Sequence, residues 1–162
     1  MPSIYCQQLK NLYLVAQDQV NKNDVAAAEF YRKYNYNLNL VKQGMDQNLF
    51  LELKNNLDGN QYPMTLAIQN FLITNTSPTL SQIANYFNNS FWGTRKQIPS
   101  NWVLQQCYLN RKCISTRENI VKNLYLFYFQ YYFCIIYKSK LAKRLTQAKN
   151  NYNQNSCDPP IM

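Results

Sequence analysis

The sequence predicts an all-α protein of small antiparallel helical bundles with an apolar C-terminal helix. Three observations carry that prediction. Apolar residues recur at gaps of three and four along nearly every segment, the stripe of a helix face. No stretch before residue 120 alternates with period two for long enough to make a strand. The breaks between stripes carry helix caps and stops, among them Asp58-Gly59-Asn60 and Thr79-Leu80-Ser81-Gln82.

The first segment, Leu9 to Tyr34, reads as a helical hairpin. Leu9, Leu12, Tyr13, Ala16 and Val20 form one stripe, and Ala27, Phe30, Tyr31, Tyr34, Leu38 and Val41 form a second. Asn21, Lys22, Asn23 and Asp24 interrupt them, with Asn23 or Asp24 suited to an N-cap. Two stripes joined by so short a polar turn predict an antiparallel pair. Met45 to Leu57 then offers Leu49, Leu53 and Leu57 at spacing four, which completes a first bundle over 1–60.

A second bundle is expected over 61–120. Met64 to Leu72 is a short helix with Pro63 in its first turn. Thr79 and Gln82 form a capping box for a helix whose stripe is Leu80, Ile83, Ala84, Phe87 and Phe91, ended by Pro99. Phe87, Phe91 and Trp92 are read as core. A further helix runs from Trp102 to about Asn119, and 121–145 is available to complete the bundle.

Composition excludes several function classes. There is no histidine, which removes the commonest general base and metal ligand. With three glycines the chain has no phosphate-cradling loop. Its five cysteines (Cys6, Cys107, Cys113, Cys134, Cys157) show no zinc spacing, and an odd, scattered set is expected to be cytosolic thiols rather than a disulfide framework. The N-terminus has no signal-peptide pattern. Carboxylates such as Asp18, Asp24, Glu29, Asp46, Glu52 and Glu118 fall on polar faces or at caps, so no enzyme and no cofactor is expected. The net charge of +9 splits into +5 over 121–162 and +4 over the first 120 residues, and no basic face there alternates with stacking aromatics, so a nucleic-acid partner is not expected.

The stretch AQDQVNKNDVAAAEFYRKY resembles the opening helix pair of the Vta/LYST-interacting-protein family, cofactors of the AAA ATPase that disassembles ESCRT-III on endosomes. Ala16, Gln17, Asp18, Lys22, Ala28, Phe30, Arg32 and Tyr34 match its order, with one extra turn residue, Val25 in place of proline and Glu29 in place of an aromatic. Met45-Asp46-Gln47, Ala67 to Leu72, the Ala84/Phe87/Ser90/Phe91 set and Tyr108/Lys112 follow in the family's order; Arg111 stands where the family has an aromatic.

The resemblance implies two tandem three-helix bundles of the microtubule-interacting-and-trafficking type. It also implies a cytoplasmic adaptor, peripheral on endosomal membrane, that binds C-terminal helices of ESCRT-III subunits and serves the AAA ATPase indirectly. Such binding is helix-in-groove recognition, with apolar anchors in pockets and basic rims steering acidic tails. The positions carried over as partner contacts are Met45, Leu49, Arg111 and Lys112; Met45 either meets a ligand or caps a core.

The last forty residues stand outside that pattern. Asn123 to Tyr137 is apolar and aromatic and is followed by Lys138, Lys140, Lys143 and Arg144. Fifteen residues rise about 22 Å as a helix, short of the roughly 30 Å hydrocarbon core. The segment is a final bundle helix, a membrane contact that anchors a subunit of a membrane-associated complex, or non-native coding sequence. Residues 146–162 read as a disordered tail.

Overall fold

Every described element of the computed structural model is helical. The elements are α1 (Ile4–Gln43), α2 (Gln47–Gly59), α3 (Gln61–Thr74), α4 (Leu80–Tyr86) running into a π-helical turn (Phe87–Phe91), and α5 (Arg111–Gln154). The structure describes residues 3–44, 47–92 and 111–162, without the side chains of residues 49 and 111–117. The expected all-α class is observed. Pro99 and most of the helix expected from Trp102 lie outside the described residues.

The first correction concerns the opening hairpin: α1 is a single helix of 40 residues that passes straight through Asn21–Asp24. The two expected stripes are one stripe. Leu9, Tyr13, Ala16, Val20, Asn23, Ala27, Phe30, Tyr34 and Val41 sit at alternating gaps of four and three, with one step of seven, which is a heptad seam. Asn23 is the missing link. It is 9% exposed, and its Nδ2 donates to the Cys134 carbonyl oxygen at 2.8 Å. A stretch without glycine or proline has nothing to break a helix, and an asparagine with a buried partner continues the seam rather than capping it.

The chain divides into two units, residues 1–27 with 134–162 and residues 28–133. The division therefore does not follow the expected boundaries at residues 60 and 120, because α1 and α5 each contribute to both units.

In the second unit the core draws on every element. Leu38 and Val41 of α1 join Leu53 and Leu57 of α2 and Met64, Ile68 and Leu72 of α3, the last three at spacing four. The capping box at Thr79 forms as expected: Gln82 N donates to Thr79 Oγ1 at 3.1 Å, and Thr79 N donates to Gln82 Oε1 at 2.8 Å. The π-helical turn brings Phe87, Phe91 and Trp92 inward together, so these three are core as expected. Against them α5 sets Phe129, with ring centroids 5.3 Å from Phe87 and 5.1 Å from Phe91.

The 123–137 segment lies within α5. Leu124, Tyr125, Phe129 and Phe133 are buried, and no helix among the described residues is long and apolar enough to cross a membrane.

The first unit is thinner. Residues 4–27 of α1 pair antiparallel with residues 134–154 of α5: Leu9 lies against Tyr152, Asn23 against Cys134, and Asp24 Oδ1 is 3.2 Å from Lys138 Nζ. Its half of α5 buries a narrow line at Cys134, Tyr137, Leu141 and Tyr152.

The tail is a second correction. Residues 146–154 are helical, and the last eight residues, 155–162, fold back onto the helix end. Ile161 N donates to Asn153 Oδ1, Asn153 Nδ2 returns a bond to the Ile161 carbonyl, and Tyr152 Oη donates to the Pro159 carbonyl, each at 2.9 Å. Ser156, at φ 56°, makes the reversal in the left-handed region. Cys157 and Ile161 are buried, so the asparagine-rich composition that suggested disorder supplies the bonds that fix the tail.

Candidate functional site: an apolar groove between two helices

A pair of helices leaves a furrow on each side of its contact line. In the first unit one furrow is apolar and open. On α1 it is lined by Leu12, Val15, Ala16 and Gln19, and on α5 by Arg144, Gln147, Ala148 and Asn151. Both sets sit at i, i+3, i+4 and i+7, so two straight stripes face each other. Leu9 adds to the α1 side, and the groove encloses about 280 Å³.

Two of its apolar side chains face water. Leu12 is 61% exposed and Val15 is 55% exposed, one step off the seam that buries Leu9 and Ala16. On the α5 side, small and polar residues keep the wall low. Arg144 is fixed there, its Nη1 donating to Tyr137 Oη at 3.0 Å and its guanidinium lying over the Tyr137 ring. Lys140 is one turn from Arg144, and Lys143 one turn from Gln147. The first unit carries seven basic residues against three acidic ones, a net +4. Asp18 and Asp24 are already engaged by Lys22 and Lys138.

The floor of the unit ends in a covalent tie. Cys6 and Cys157 form a disulfide with Cα atoms 5.6 Å apart, which corrects the expectation of scattered thiols. The bond sits in a cluster of Leu9, Tyr13, Tyr152 and Ile161. Sequence could not single out this pair, because the two cysteines are 151 residues apart. Cys134 is a free buried thiol, and burial pushes it from 9.0 up to about 12, so it stays protonated and weakly nucleophilic at neutral pH. Cys107 lies outside the described residues, and Cys113 falls in α5 with its side chain outside those described.

The side chains of the four sequence-predicted contacts lie outside those described. Met45 lies outside the described residues. Leu49 falls in α2, and Arg111 and Lys112 are the first residues of α5, all three with side chains outside those described. Leu12, expected on the buried stripe, is exposed because the seam runs through Tyr13 and Ala16 instead; Val15, an apolar residue off the stripe, was the one signal for the groove in the sequence. The polar wall of the groove carried none. Among the described residues no three His, Cys, Asp or Glu side chains are grouped to hold a metal.

No family model, no curated protein and no solved structure matches this chain.

Proposed function

We propose that the protein is a non-enzymatic helical adaptor whose first unit receives an acidic amphipathic helix in the groove between α1 and α5. The observation that carries this reading is the open apolar furrow with Leu12 and Val15 exposed on one wall and the Arg144 guanidinium on the other. A third helix laid there covers the two side chains, while its acidic residues meet Arg144 and, one turn along α5, Lys140. The C-terminal helices of ESCRT-III subunits are the partner class that the family resemblance implies, and that role is a cytoplasmic one on endosomal membrane.

The test is fluorescence anisotropy of labelled ESCRT-III C-terminal peptides against the full chain. The expected result is saturable binding, lost in Val15→Glu and weakened by salt. Val15 is exposed, so the variant keeps its fold, and an unchanged circular dichroism spectrum checks this. Absence of binding at high micromolar concentration overturns the ESCRT reading. Binding unaffected by Val15→Glu overturns the groove.

One observation favours a second setting for the same activity. Disulfides persist in oxidising compartments and are rare in the cytosol. The Cys6–Cys157 bond fits an adaptor that works outside the cytosol on an acidic helix of another origin. Alkylation of the native source before lysis, followed by mass mapping of the two cysteines, decides between the settings.

A further inference from the structure

We infer that the Cys6–Cys157 disulfide is a redox latch for the groove, so that the first unit receives a partner helix only while the bond is closed. The inference rests on the groove reading and adds its regulation. Three observations support it.

The first is position. The bond ties the first turn of α1 to the segment after α5, and the cluster it closes contains Leu9. Leu9 is also a residue of the groove. The latch and the groove therefore share a side chain, and the end of α1 cannot leave α5 without opening both.

The second is how little else holds the unit. The α1 seam there offers Leu9, Ala16 and Asn23 as its buried residues, a small, a polar and one large side chain. The second unit is closed by Phe87, Phe129, Phe133 and Tyr125, all essentially inaccessible. Two helices with a narrow seam bury too little surface to be firmly paired alone. A bond across 151 residues removes a very large loop from the entropy of pairing.

The third is what stays in place when the bond opens. The tail is fastened to α5 itself through Tyr152, Asn153, Pro159 and Ile161. Cutting the disulfide therefore releases the start of α1, not the tail.

The chemistry needs a dithiol reductant. Cys157 is 4% exposed and Cys6 is half-buried, so an incoming thiolate reaches Cys6 Sγ first. A mixed disulfide forms with Cys6, and the electron pair of the broken S–S bond leaves with Cys157 Sγ, which takes up a proton. The second thiol of the reductant then attacks its own sulfur in the mixed disulfide and frees Cys6 as a thiol. The cystine gains two electrons and two protons; the dithiol loses them and closes to a disulfide.

The experiment uses the full chain, oxidised and then in dithiothreitol, with opening of the bond confirmed by mass mapping. Two readouts are taken: affinity for a synthetic helical peptide of about 15 residues with leucine on one face and glutamate on the other, and site-resolved amide exchange. Reduction is expected to weaken binding about tenfold or more and to speed exchange over residues 4–16. Exchange over 61–72 in the second unit stays as it was, and Cys6→Ser behaves as the reduced chain without reductant. Unchanged exchange over 4–16 overturns the latch, as does equal affinity in both states. If the peptide binds neither state, the groove reading fails, and the exchange measurement alone decides whether the bond latches α1.

Discussion

Asn23 Nδ2 lies 2.8 Å from the carbonyl oxygen of Cys134, a bond between residues 111 positions apart on facing helices. It fills a core position of a heptad seam with a polar side chain. Such a residue fixes the register of a helix pair and lowers its stability relative to an apolar one. Asn23→Ala removes the bond and the packing together. The expected loss is about 1–2 kcal/mol, or a fall of roughly 2–8 °C in the thermal midpoint. A midpoint within a degree of the parent shows that Asn23 does not hold the seam.

Tyr34 gives the opposite sign. The residue is 4% exposed and its ring packs tilted against Tyr128 with centroids 4.7 Å apart, yet its hydroxyl is buried with no hydrogen-bond partner among the described residues. A buried hydroxyl without a partner is unfavourable, and phenylalanine keeps the ring without it. Tyr34→Phe is expected to raise the unfolding free energy by about 1 kcal/mol in urea titrations. A loss of similar size shows that the hydroxyl is satisfied in solution.

Phe129 is the hub of the second unit, fully buried against Tyr86, Phe87 and Phe91. Truncation leaves a cavity that the surrounding rings cannot fill by small shifts. Phe129→Ala is expected to destabilise the protein by about 3–5 kcal/mol. A loss below about 1 kcal/mol means the core repacks and the aromatic block is not rigid.

Alkali should weaken the fold. Burial pushes Cys134 up from 9.0 and Tyr125 up from 10.0, each to about 12, and raises Tyr34 and Tyr128 as well. In each case the folded state favours the neutral form. Below about pH 9 every one of these groups is protonated in both states, and the full stability is present. Above it the unfolded chain releases protons that the folded chain keeps, so stability falls as pH rises toward the folded values. The decline begins with Cys134 and steepens once the tyrosines join near pH 10, at up to about 1.4 kcal/mol per pH unit for each group. Urea midpoints at pH 8, 9, 10 and 11 check it; a flat line shows that these groups are solvated in the folded protein.

The sequence by itself determined the class of structure and most of its local features. Leu53, Leu57, Met64, Ile68 and Leu72 announce their helices by spacing, and Thr79 with Gln82 announces a helix start, because these rules act over one or two turns. The same local rules misled at Asn21–Asp24. A polar cluster without partners reads as a turn, and only a helix from the far end of the chain, offering the Cys134 carbonyl, makes Asn23 a core residue. The tail failed for a related reason: Asn153 looks like part of a disordered run until Ile161 returns to bond with it.

The candidate site was decided almost wholly by tertiary structure. Leu12 was expected on the buried stripe and is exposed instead, and Val15 stood off that stripe, but a groove needs a second wall, and that wall is the polar stripe from Arg144 to Asn151. The disulfide likewise needs residues 6 and 157 side by side. Periodicity specifies which face of a helix is buried and stays silent about which distant helix covers it. That choice is made by the pairing of α1 with α5.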